Sequence, residues 1–174
     1  MLDKEEVQEV IDKFRKYVVQ QSRSNLTKQK KNASKSLYNS VKGISKVNPN
    51  SISLYFEMEE HGIYQDKGVK GKTSSTKAPN SPFKFGSGTG KKGGLTNGIQ
   101  KWVKQKRFQF RDEQGRFMSY NSTAFLITRS IYNKGLKPSM FFTKPFDKAF
   151  ANLPKELVEA YGIDIVRTFT NLDK

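Results

Sequence analysis

The chain has 174 residues, of which 34% are apolar, and a formal net charge of +16, which is length enough for about one cored domain with long surface excursions. It has no cysteine, which excludes a disulfide framework and a thiolate metal site. Residues 1–22 carry four bases and five acids, residues 154–174 three and four, and residues 23–153 carry 25 bases against seven acids. A middle this basic draws polyanions: nucleic acid, an anionic membrane or the acidic face of a protein.

The residues after Met1 are charged and amphipathic, which predicts no signal peptide. No apolar run approaches the roughly 20 residues needed to span a bilayer. The expectation is a soluble protein made in a cytoplasm, with no membrane partner.

Asp3 and Glu6 have capping-box spacing, and Val7, Val10, Ile11, Phe14 and Val18 recur on one face, predicting a helix that ends near Ser22. Arg23 to Lys35 reads as a basic loop or a solvated helix. Leu37, Tyr38 and Val41 predict a short helix ending at Gly43. Ile44 to Val47 and Ser51 to Met58 alternate with period two around Asn48-Pro49-Asn50, which predicts two strands with Ile52, Leu54, Phe56 and Met58 on one face.

Tyr64 to Gly94 is rich in Gly, Ser, Thr, Pro and Lys, with Asp66 the only acid against seven lysines. A connection of this length is either functional or disordered until something binds it. It is expected to project as a basic arm, with Gly68, Gly71, Gly86, Gly88, Gly90, Gly93 and Gly94 giving hinge freedom. Two plain turns at Gly68 and Gly71 are the alternative.

After the arm, Leu95, Ile99, Trp102, Val103 and Lys106 form a helical stripe that places Trp102 in the core. Arg111 to Phe117 has hairpin-turn chemistry. Asn121 or Ser122 can cap a helix carrying Ala124, Phe125, Ile127, Thr128 and Ile131 and ending at Gly135. Thr143 or Lys144 before Pro145 opens a further helix, with Phe146, Ala149 and Phe150 on its buried side. A last helix after Pro154 aligns Leu157, Tyr161, Ile165, Phe169 and Leu172. The fold class expected is α+β in one domain, residues 1–174: a small antiparallel sheet packed by several helices, with the arm at 64–94.

Gly88-Thr89-Gly90-Lys91-Lys92-Gly93 matches G-x-G-x-x-G, and Gly86 to Lys91 has the outline of a phosphate loop. Only three residues separate Gly86 from Gly90, and position 92 is Lys where Ser or Thr is needed. Pro82-Phe83-Lys84-Phe85 is not the strand that a dinucleotide fingerprint requires. No cofactor is expected. His61 is the only histidine and reads as a surface or turn residue, so nothing supports a nucleophilic triad. Glu57, Glu59, Glu60 and Asp66 could hold magnesium as a nuclease does, though offsetting nearby lysines is the simpler reading. Lysines interleaved with Phe83, Phe85, Trp102, Phe108 and Phe110 suit phosphate contact and base stacking, so a standalone basic nucleic-acid-binding protein is one expectation.

Several segments resemble the tail-completion or neck proteins of tailed bacteriophages: Ser51 to Met58, then Tyr64-Gln65-Asp66-Lys67-Gly68-Val69-Lys70-Gly71, then Met140-Phe141-Phe142-Thr143-Lys144-Pro145-Phe146 leading into Asp147 to Leu153. Members often show an N-terminal helix, a strand pair ending in an aromatic-acid-glycine element, and a Phe-Pro segment opening a helix. The resemblance implies an α+β virion protein without catalysis, forming a ring between the portal-connector assembly and the tail. Under it, Tyr64, Asp66, Gly68, Gly71, Phe83, Phe85 and Gly90 belong to an inter-subunit arm. Lys67, Lys70, Lys72, Lys77, Lys84, Lys91 and Lys92 are candidate contacts to DNA in the channel or to an acidic partner.

Overall fold

The computed structural model describes residues 5–31, 33–48, 51–88 and 93–160. The fold is α+β, with helices α1 (Glu5–Lys28), α2 (Ser36–Ser40), α3 (His61–Lys67), α4 (Gly94–Lys106), α5 (Tyr120–Lys134) and α6 (Thr143–Phe150) and strands β1 (Lys42–Asn48) and β2 (Ser51–Glu57). A further helical run covers residues 153–160. The chain divides into two compact units: Met1–Gln29 with Ser36–Glu59 and Phe141–Lys174, and Lys30–Lys35 with Glu60–Met140. Asp3, Pro49, Asn50, Tyr161, Ile165, Phe169 and Leu172, each given a role above, lie outside the described residues.

In unit 1, α1 buries Val7, Ile11, Phe14, Val18, Ser22 and Leu26. Ser22 and Leu26 continue the same four-residue stripe, so the helix runs six residues past its expected end. Leu26 is the reason: it packs with Leu37, Val41 and Phe141 in a second core cluster, and tertiary burial outweighs the basic, polar composition around it. The acids of the first turn and Lys28 in the last suit the helix dipole.

The strands pair antiparallel from Lys42 opposite Glu57 to Asn48 opposite Ser51. Gly43 lies inside β1 rather than closing α2. A Cβ there would stand 2.5 Å from Arg15 Cγ and 3.0 Å from the Phe56 ring, so a residue without a side chain is what lets α1 cross the sheet closely. Leu54 and Phe56 pack onto Ile11, Phe14, Val18 and Leu153, whereas Ile52, expected on that face, is 42% exposed. Phe56 meets Phe142 and Phe146 edge-on at 5.3 and 5.9 Å. Pro145 sits in the first turn of α6, where its missing N–H costs nothing. Phe150, expected on the buried side, is half exposed and stacks on Phe146.

In unit 2, α4 packs against α5, and Val103, Thr123 and Ala124 are fully buried. Trp102 lies 38% exposed instead of in the core, because Val103, one position along, takes the inward place. Ser119 caps α5, accepting from the Ser122 N–H at 3.0 Å, so the helix starts just ahead of the expected Asn121 or Ser122 cap. Gly135 ends it, donating to Ile131 O. The Arg111–Phe117 turn is present: Asp112 Oδ1 accepts from the backbone N–H of Gln114 and Arg116, and Arg111 pairs with Phe117 in a bridge. His61 opens α3 on the surface.

Candidate functional site

The residues expected to form a structureless arm are, from Tyr64 to Phe85, tied into unit 2. Val69 exchanges backbone hydrogen bonds with Leu136 at 2.9 and 2.8 Å, and Lys72 N–H donates to Tyr132 O. On its other side the same segment pairs with the later loop: Lys70 N–H donates to Phe83 O and Phe85 N–H to Lys70 O. A three-ply backbone results, and its glycines follow from the spacing. A Cβ on Gly71 would stand 2.0 Å from Asn133 O, one on Gly68 2.6 Å from Leu136 O, and one on Gly135 2.5 Å from Val69 O. Gly68 and Gly135 also have positive φ, where an L side chain is strained. These glycines are contact residues of a packed junction rather than hinges.

Ser81 locks the loop. Its buried hydroxyl donates to Gly68 O at 2.7 Å and accepts from Phe83 N–H at 3.1 Å. Tyr64 meets the Phe83 ring edge-on at 4.7 Å, and Phe85 lies 5.7 Å from Tyr132, so neither phenylalanine is a free stacking platform. Asp66 is buried, and its carbonyl accepts from Met140 N–H. Sequence reading missed Ser81, Tyr132 and Leu136. Only Gly135 carried a signal, and it pointed to a helix end.

This junction holds out cations. Lys67, Lys72, Lys77 and Lys84 are exposed and Lys70 is half-buried; Lys72 Nζ sits 5.9 Å from the Tyr132 ring centre. Gly90, Lys91 and Lys92 lie outside the described residues. Elsewhere in the unit, burial and the neighbouring Lys137 hold the Lys31 amine below the usual lysine range. Counted over the sequence, unit 2 has 19 bases and four acids, and unit 1 has 13 bases and 12 acids. Nearly all of the net charge belongs to unit 2.

Beside α4, Trp102, Phe108 and Phe110 form a row with ring centres 6.0 and 5.2 Å apart, each more than a third exposed. Of the candidate magnesium ligands, Glu57 and Glu59 belong to unit 1 and Glu60 and Asp66 to unit 2. Glu59 accepts from the Ser36 hydroxyl. Among the described residues no three His, Cys, Asp or Glu side chains are grouped to hold a metal ion, and no helix is long and apolar enough to cross a membrane. No protein-family model, curated protein or solved structure matches the chain.

Proposed function

We propose that this chain is a structural subunit of a tailed-bacteriophage neck, several copies of which form a ring joining the portal-connector assembly to the tail. The observation that carries this reading is the separation of charge between the units. A near-neutral unit can pack closely against its neighbours, while a unit with 19 bases and four acids suits DNA in a channel or an acidic surface of an adjoining ring. The neck-like segments add support: Gly68 and Gly71 lie against the Leu136 and Asn133 carbonyls in unit 2, and Phe141 to Phe146 is core and helix start in unit 1. Native mass spectrometry of the purified full chain tests the ring. A closed oligomer of one stoichiometry is expected, and a monomer at every concentration would remove the reading.

A standalone nucleic-acid-binding protein is the second reading, favoured by the exposed Trp102, Phe108 and Phe110 row on the basic unit. It requires tight binding to DNA or RNA by the isolated chain, weakening steeply with salt. A neck subunit need only tolerate DNA passing it, so lack of binding would discard the second reading and spare the first.

A further inference from the structure

Unit 1, although almost neutral as a whole, contains an open groove of about 920 Å³ lined by Arg15, Lys16, Arg23, Lys28 and Lys42 and by no carboxylate. Both guanidiniums are already fixed. Arg15 donates through Nη1 to Gly43 O and through Nε to Asp12 Oδ1, each at 3.2 Å. Arg23 donates through Nη2 to Val41 O at 3.0 Å and lies over the Tyr38 ring. Its Nε–H is buried with no hydrogen-bond partner. Guanidiniums held in this way lose little side-chain freedom when an anion approaches the groove.

Long polyanions are drawn to unit 2, where the charge lies. The unit 1 groove instead joins its cations to an apolar lining from the partly exposed Val19 and Tyr38, which suits a protein segment bearing carboxylates. α1 supplies one at its other end: Glu5 and Glu6 in the first turn, with Glu5 exposed, and exposed Glu9 shared with Lys13 at 2.9 Å. Along a helix rising about 1.5 Å per residue, Glu5 lies about 15 Å from Arg15 and about 27 Å from Arg23 on the same rigid rod, so this acidic start cannot fold back into the groove of its own chain. We infer that the groove receives the acidic first turns of α1 from a neighbouring copy. Two different surfaces then meet, and such head-to-tail contact is the kind that closes into rings. The inference rests on the ring reading and names the contact that builds it.

The test is sedimentation of the full chain, comparing wild type with Lys16→Glu/Lys42→Glu, with Glu5→Lys/Glu6→Lys, and with all four changes together. Lys16 and Lys42 are exposed, and matching far-ultraviolet circular dichroism and thermal midpoints establish folding. Each pair of changes is expected to weaken self-association about 10-fold or more, and an equimolar mixture of the two pairs, or the four-change chain, to recover part of it. Wild-type assembly with no loss in either pair overturns the groove contact and leaves the ring standing. A wild-type chain that stays monomeric overturns both.

Discussion

Gly71 and Asn133 touch backbone to backbone: a Cβ built on Gly71 would lie 2.0 Å from the Asn133 carbonyl oxygen. Neither side can yield, since Lys70 and Lys72 flanking the glycine are hydrogen-bonded to Phe83 and Tyr132. Gly71→Ala is therefore expected to destabilise unit 2 by about 3 kcal/mol or more. Gly98, inside α4 with open space around it, is the control: Gly98→Ala should stabilise by up to about 1 kcal/mol. Hydrogen exchange of the 68–72 and 132–136 amides, with denaturant unfolding, checks both. Equal effects at the two sites would contradict the junction.

What sequence conveyed well was local. The α1 stripe, the two strands, the Asp112 turn and the Pro145 helix start follow from spacing, turn chemistry and the preference of proline for a first helical turn, which need only near neighbours. The junction was not legible because Val69 pairs with Leu136 across more than 60 positions. A Gly/Ser/Lys composition looks the same whether its amides are bonded to distant backbone or to water. Leu26 and Trp102 mark the same limit: one apolar residue in a basic stretch became core, and one tryptophan on an apolar stripe did not. The groove was hidden for a similar reason, because Arg15, Arg23 and Lys42 come together only when α1 lies beside β1.

Phe141 and Phe150 look alike in sequence but differ in burial, at 0% and 51% exposed. Phe141→Ala is expected to cost about 3–5 kcal/mol, since its ring fills the cluster with Leu26, Leu37 and Val41. Phe150→Ala, which removes one exposed stacking contact with Phe146, should cost about 1 kcal/mol or less. Urea unfolding curves of the two variants separate the cases.

Asp12 links α1 to β1. Its carboxylate accepts from the Ser45 hydroxyl at 2.8 Å and from Arg15 Nε at 3.2 Å. The Ser45 bond, helped by Gln8 and Arg15, holds its pKa below the ordinary aspartate value of 3.8 against the opposing effect of burial. A folded-state value below the unfolded one stabilises fully above about pH 4 and loses that contribution as pH falls through the folded value. Asp12→Asn should thus cost about 1 kcal/mol at neutral pH, with the difference from wild type shrinking below pH 4. A difference that stays constant down to pH 2 would contradict this role.

Lys67, Lys77 and Lys84 are exposed on unit 2, which carries 19 bases against four acids. If the chain binds duplex DNA through this unit, alanine at each should lower the slope of log affinity against log salt by about one. Fluorescence anisotropy across a salt series measures it. Unchanged slopes would place the DNA contact elsewhere.

The neck assignment is tested most directly by immuno-electron microscopy of purified phage particles with antibody against the full chain. Label confined to the junction of head and tail is the predicted result. Particles that carry no label, with the chain absent from their protein content by mass spectrometry, would contradict it.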